Sequence, residues 1–442
     1  MAFYQRIGLA SILFALLTGA IIWRGPQIRD VSIVDQGPNG NQVSPRAAIR
    51  ITFSRMVDRR SAEQHFVITP VVPGRFTWQD DRTFTFRPSQ PLNAGTFYHI
   101  TISNGMRDAR GRGNIGETGW PFQVRPPRLL AVTQEGNGTN ALWLLPIDGS
   151  EPRRLLELPE TPNGIAVAPD GNTALVVQAR APNRTALTLV DLADGSSQPF
   201  LDDLTASLSH PRWAPLGERI AYERRVLRDG VAGPPQIWLV KSDGSAPSPL
   251  QSDETTSNST ALWSPDGGKL AYMVGETQAL GLYDTFDSTV RTFPSSNGAA
   301  VTWAPDGQAL VYVAPIFVEG GTRMRLRRLD LTTGAQHDLL DDQAALLSPA
   351  IAPDGSLIAF VQQSPDQQTS TIQLLPPAGG EARQLTARGG YQDLHPTWSL
   401  DSRRIAFIRT NGAAQRDLYL ADVADGTLRH VRANVVQVVW AP

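Results

Sequence analysis

Six histidines, His65, His99, His210, His337, His395 and His430, are the side chains best suited to acid–base chemistry or metal ligation near neutral pH in this chain, which has no cysteine. None sits in a His-Glu-x-x-His pair or another helix-spaced pair. There is no Gly-x-Ser-x-Gly turn to expose a nucleophilic serine, and no Walker loop to cradle phosphates. Gly111-x-Gly113-x-x-Gly116 has the spacing of a dinucleotide loop, but strand patterns surround it and no strand-to-helix turn follows. Two histidines share a context. His210-Pro211 and His395-Pro396 each lie just before a strand that ends in Trp, at Trp213 and Trp398. Brought together, they would make a small-molecule or metal site. The competing reading is a polar residue at the turn that begins a strand. Two imidazoles without a third ligand do not define a metal centre, so no catalytic residue, metal or cofactor is assigned.

The elements that would position these residues come from a repeat. An apolar strand ends in Trp, a Pro-Asp-Gly turn follows, and a second apolar strand begins. The clearest copies are Trp263-Ser264-Pro265-Asp266-Gly267 before Leu270-Ala271-Tyr272, and Trp303-Ala304-Pro305-Asp306-Gly307 before Leu310-Val311-Tyr312. Looser copies start at Val167, Trp213, Ile351 and Trp398, and Trp440-Ala441-Pro442 begins a seventh. The period is about 45 residues, in the range of four strands per unit. Hairpin turns give a second count: Asp148-Gly149, Asp194-Gly195, Asp243-Gly244, Asp287-Ser288, Thr333-Gly334, Gly379-Gly380 and Asp425-Gly426. Residues 435–442 supply only a first strand, and residues 128–156 only the later three. Joined, they make one unit, so the array is expected to close by pairing its ends, which removes exposed sheet edges. The repeated Asp is read as a turn cap and the repeated Trp as a core wedge.

The phrase Trp-Ser/Ala-Pro-Asp-Gly-x-x-Leu/Ile-Ala-Phe/Tyr resembles the repeat of TolB-type propellers, also found in the non-catalytic propellers of prolyl-oligopeptidase-like enzymes. The resemblance covers residues 126–442. It implies a seven-bladed β-propeller with one blade shared between the chain ends, and it places His210 and His395 near the channel mouth. It also puts two sets of loops on one rim, those between second and third strands and those leading to each next first strand. Arg180, Arg184, Arg224, Arg225, Arg228, Phe317, Arg388 and Tyr391 lie in these loops and are the candidate partner-binding residues. Arg and Tyr serve well as interface anchors, although single rim arginines also serve simply as solvated loop residues.

Residues 30–125 alternate like a small β-sandwich, as in Ile49-Arg50-Ile51-Thr52-Phe53 and Thr83-Phe84-Thr85-Phe86. Phe53-Ser54-x-Met56-Val57-Asp58, Phe84-Thr85-Phe86-x-Pro88, Leu92-x-x-Gly95-Thr96-x-Tyr98 and Asp108-x-x-Gly111 resemble, in that order, the bacterial Ig-like domain of surface-layer type. The resemblance implies a spacer or adhesion module outside the cytoplasm. Arg107, Arg110 and Arg112 form a basic turn, read as solvated.

Ahead of a short linker at 24–29 and after a six-residue tail, residues 7–23 form an unbroken apolar run between Arg6 and Arg24. As a helix it would be about 26 Å long, enough for a short membrane span. A retained signal anchor is expected; a cleaved signal peptide is the alternative. With 40 Lys and Arg against 42 Asp and Glu, nothing points to nucleic acid. The whole chain is thus expected to be all-β apart from one N-terminal transmembrane helix. It reads as a single-pass, extracytoplasmic binding or scaffold protein with a protein or envelope partner. The alternative is a channel-site ligand sensor or a metal-dependent propeller enzyme acting on envelope or carbohydrate substrates.

Overall fold

Period-two alternation builds the N-terminal unit: Ile49, Ile51 and Phe53 are fully buried, while Arg50 between them is exposed. The computed structural model describes residues 31–442 except 112–115, 137, 252–255, 276–278, 294–300, 320, 343 and 413–414. The expected tail 1–6, membrane segment 7–23 and linker 24–29 lie outside the described residues, as does Arg112. Among the described residues no helix is long and apolar enough to cross a membrane. The chain divides into two compact units between Val124 and Arg125.

In the first unit, one sheet orders Ile33–Gly37, Ile49–Phe53, Thr83–Pro88 and Gly74–Trp78. The other orders Gly40–Val43, Thr118–Val124, Phe97–Ile102 and Phe66–Thr69. Between them, Phe66, Phe76, Phe84 and Phe86 pack with ring centroids 4.9–5.8 Å apart. One element was not expected. Arg59–His65 is a short helix, capped by the Asp58 carboxylate, which accepts from the Ser61 N–H at 2.6 Å. In the sequence Asp58 stands out only as the last residue of the Ig-like motif Phe53-Ser54-x-Met56-Val57-Asp58.

In the second unit, the strands fall into four-stranded antiparallel sets. A closing set pairs Val435–Ala441 with Arg128–Gln134, followed by Asn140–Pro146 and Arg153–Leu158. The first set spans Ile165–Leu201, the second Ala206–Pro249, the third Asn258–Phe293 and the fourth Val301–Asp342. The fifth spans Leu346–Gln384 and the sixth Gln392–Arg432; a single bridge, Ser370 to Gln392, links them.

Each set packs apolar faces on both neighbours. Leu130 and Val132 join a core with Val176 and Val190 of the first set, while Leu129 and Ala131 join one with Ala406 and Leu418 of the sixth. Between these, successive pairs of sets share cores from the first to the sixth. The packing therefore runs in a closed cycle. This explains why the inner strands are apolar at consecutive positions: both faces are buried.

The repeat residues act as joints. Asp266, Asp306 and Asp354 each accept the backbone N–H two residues on, at 2.9–3.0 Å, and Asp194 and Asp425 do so in the hairpins at 2.8 Å. Four indoles reach back to the preceding set. Trp263 donates to the Arg212 carbonyl, Trp303 to Leu262, Trp398 to Ala350 and Trp440 to Thr397, at 2.9–3.1 Å. Where the closing set meets the first, Arg125 donates to the Pro442 carbonyl (2.8 Å) and to Asn172 Oδ1 (2.9 Å). Gly171 there has φ +66°, and any Cβ would overlap the Pro442 carbonyl and the Arg125 guanidinium.

Three segments expected as loops are largely strand. Thr173–Ala181 and Arg184–Asp191 form a tight hairpin, Arg219–Arg228 runs on to pair with Val231–Ala232, and Ala309–Val318 pairs with Gly321–Asp330. The Arg-rich composition of the first two arms hid their pairing, because an arm standing clear of the core has no buried face to mark the alternation.

Candidate functional site

The first strand of four sets carries the same irregularity. Pairing with the second strand slips between Ser209 and Arg212, Ser259 and Leu262, Leu347 and Ala350, and Leu394 and Thr397. Each slip is a bulge, which re-aims the side chains it contains. Its leading residue has left-handed backbone: His210 (φ 48°), Thr260 (55°), Ser348 (48°) and His395 (55°). Left-handed φ is uncommon outside glycine and is a clear outlier for a β-branched residue such as Thr260. Gly164 takes the corresponding place in the first set with φ +131°, where a Cβ would stand 3.1 Å from His210 Cα.

These bulges converge on one cavity of about 380 Å³. His210 and His395 both line it, with Arg212, Thr260, Ser348 and Thr397 as the other polar members. Ala261, Leu262, Val301, Pro349, Pro396 and Val438 supply the apolar part of the wall. The structure therefore brings the two sequence-selected histidines into one site and adds Arg212, Thr260 and Ser348 to them.

Behind His210 lies Glu223, 3% exposed. Its Oε2 is 3.1 Å from His210 Nδ1, and its Oε1 accepts the Thr260 N–H at 2.9 Å from the next set. Burial pushes this carboxyl up, but the hydrogen bonds from His210 and Thr260 outweigh it and hold Glu223 below the usual carboxylate range. Glu223 stands three residues beyond the strand partner of Trp213. The corresponding residues in the other sets are Val132, Val177, Met273, Val313, Val361 and Ile408. A carboxylate at an otherwise apolar register position was the missed signal.

The surrounding protein lowers the Arg212 guanidinium from its ordinary value, although the side chain keeps contact with solvent; Glu223 opposes the shift. His395 is likewise lowered, first by its surroundings and then by the Arg416 charge. Asp393, fully buried two residues earlier, is held by Arg409 through Nε at 2.7 Å and Nη2 at 2.9 Å. Among the described residues no group of three or more His, Asp or Glu is placed to hold a metal ion.

The rim candidates are mostly engaged within the protein. Arg184 pairs with Asp202. Arg224 pairs with Asp203 at 2.7 Å and lies 4.8 Å from the Trp238 ring centroid. Arg180 donates to Thr188 Oγ1 at 3.0 Å, and Arg225 approaches the Gly233 carbonyl at 3.5 Å. Tyr391 is half-buried, bonded to the Ala387 carbonyl and stacked 3.7 Å from the Arg409 guanidinium. Arg228 and Arg388 are exposed. The backbone of Phe317 pairs with Thr322, whereas the exposure expected of its side chain lies outside the described residues.

Residues 24–124 match the family model for a bacterial Ig-like domain. No curated protein matches the chain. Among solved structures, oligogalacturonate lyase from Vibrio parahaemolyticus is 15% identical, with TM-score 0.52, covering 67% of this chain and 92% of that one. The β-propeller domain of the Trilobed protease from Pyrococcus furiosus is 12% identical, with TM-score 0.50, covering 77% and 94%. A prolyl endopeptidase is 14% identical, with TM-score 0.55, covering 78% of this chain and 49% of its own. At these identities the likeness to solved structures is one of fold, a β-propeller, and the Ig-like domain rests on the family match.

Proposed function

We propose that this chain is an extracytoplasmic binding protein, a seven-bladed propeller on an Ig-like spacer, anchored through residues 7–23, whose rim engages a protein or envelope partner. One observation carries the reading. The hairpins and loops of the first and second sets lock together on one side: Asn183 Nδ2 donates to the Gly230 carbonyl (3.1 Å), Arg184 pairs with Asp202, and Arg224 with Asp203. That braced surface presents Leu204 and Val231, 81% and 71% exposed. Exposed apolar side chains on braced loops, with arginines nearby, suit a protein partner, because little backbone freedom is lost on docking.

The test is photo-crosslinking from position 231 in cells, with position 196 on the opposite hairpins as control. One discrete adduct from 231, absent from 196 and lost with Leu204→Asp, is the expected result. Equal labelling from both positions, or none, would defeat the rim reading.

A second reading rests on the cavity between His210 and His395: a channel-site ligand sensor or a metal-dependent propeller enzyme. Metal content of the purified protein, with His210→Ala and His395→Ala, separates the two. Stoichiometric metal lost in both variants would favour the enzyme.

A further inference from the structure

We infer that the axial cavity between His210 and His395 is a binding site for a small organic carboxylate, held by Arg212 with the Thr260 and Ser348 hydroxyls and the His395 imidazole. None of these groups belongs to the braced rim, so the inference stands apart from the rim reading.

Charge comes first. Among the described lining residues, Arg212 is the one with a formal charge, and no carboxylate lines the cavity. The nearest buried carboxylate, Glu223, has one oxygen on His210 and the other on the Thr260 N–H. No hydrogen bond or ion pair joins the Arg212 guanidinium to a described residue, in contrast to Arg184, Arg224 and Arg409, each of which holds an aspartate. A guanidinium offers a planar fork of donors that fits a carboxylate in bidentate fashion. Arg212 is itself exposed, so its fork of donors is open to an incoming anion.

Backbone geometry is the second argument. Thr260, Ser348 and the two histidines occupy left-handed conformations that glycine would adopt without strain, at a cost of about 1 kcal/mol or more each. Side chains kept at such positions, all polar and all lining one space, indicate that the side chain matters there.

The wall decides between kinds of anion. Half of the lining is apolar, from Ala261 and Leu262 to Val438. That surface favours a carbon skeleton over a bare inorganic ion, and the volume lies in the range of small-ligand sites.

The experiment titrates the full-length chain with acetate and with succinate, following the histidine ring signals by NMR at constant ionic strength. Succinamide serves as the neutral match and inorganic phosphate as the carbon-free anion. Saturable shifts of the His210 and His395 signals by a carboxylate, little response to succinamide, and binding at least about tenfold weaker in Arg212→Met are expected. Arg212→Lys, which keeps the charge and loses the fork, should fall between. Thr260→Gly relieves backbone strain, so it should stay folded and still bind more weakly. No carboxylate response, an equal response to succinamide, or undiminished binding in Arg212→Met would overturn the inference. Phosphate binding as strong as succinate would overturn the assignment to carboxylates.

Discussion

Glu223 and His210 meet 3.1 Å apart at a register position where the other sets place Val, Met or Ile. The carboxylate also takes the Thr260 N–H of the next set, so a single buried acid ties a cavity histidine to two neighbouring sheets.

The tie makes stability depend on acid. Glu223 is held below its ordinary value in the folded chain, so its contribution is present above the unfolded value of about 4.5 and is lost as pH falls through the folded value. Glu223→Gln should lower the melting temperature at pH 7, by an amount equivalent to about 1–3 kcal/mol. The gap from wild type should shrink as pH falls below about 4.5. Thermal melts from pH 7 to pH 3 read this directly, and a constant gap across the series would count against it.

Gly171→Ala should be costly. The residue has φ +66°, and a Cβ would overlap the Pro442 carbonyl and the Arg125 guanidinium. Gly138→Ala is the control, since φ is +83° there but nothing lies within 4 Å. The control should lose about 1 kcal/mol from backbone strain, and Gly171→Ala at least about 3 kcal/mol, in urea denaturation. Equal losses would show that the contact with Pro442 contributes nothing.

Deleting residues 435–442 should destabilise the whole cycle. It strips the pairing partner from Arg128–Gln134 and takes Val435 and Ala441 out of the cores on either side. Calorimetry should show a lower and broader transition of the second unit, with new tendency to associate through the bare edge. Unchanged melting would refute the closure assignment.

Two tryptophan variants should separate the indole hydrogen bond from ring packing. Trp303 donates to Leu262 at 3.0 Å, whereas the buried Trp213 N–H has no hydrogen-bond partner. Phe at either position removes similar volume. Trp303→Phe should therefore cost about 1 kcal/mol more than Trp213→Phe in chemical denaturation.

Much of the fold was legible because Pro-Asp-Gly and Asp-Gly turns announce themselves. Their backbone needs are local, and Asp266, Asp306 and Asp354 cap their turns in the way their chemistry implies. The site was legible only in part. His210-Pro211 and His395-Pro396 stood out, but Thr260-Ala261 and Ser348-Pro349, at the same distance before Trp263 and Ile351, complete the pattern and passed unnoticed. Glu223 was hidden because one acid after Ile220-Ala221-Tyr222 looks like a strand end until six sister strands are laid beside it. For the rim arginines, sequence shows a charge but not the aspartate beside it, as Asp202 stands beside Arg184 and Asp203 beside Arg224. The helix at Arg59–His65 was missed because seven residues give too little periodicity to set against a strand-rich background.

The backward-reaching indoles have a consequence for how such a chain can grow. The third set carries both halves of the joint, a donor in the Trp263 N–H and an acceptor in the Leu262 carbonyl just before it. A tandem duplication of one repeat would inherit both halves of the joint at each new boundary, with no compensating change elsewhere. Nothing in the local rule counts copies. The count is enforced at one place, where Val435–Ala441 must arrive beside Arg128–Gln134. Copy number in this architecture is therefore open to inheritance by duplication and checked only by whether the circle meets.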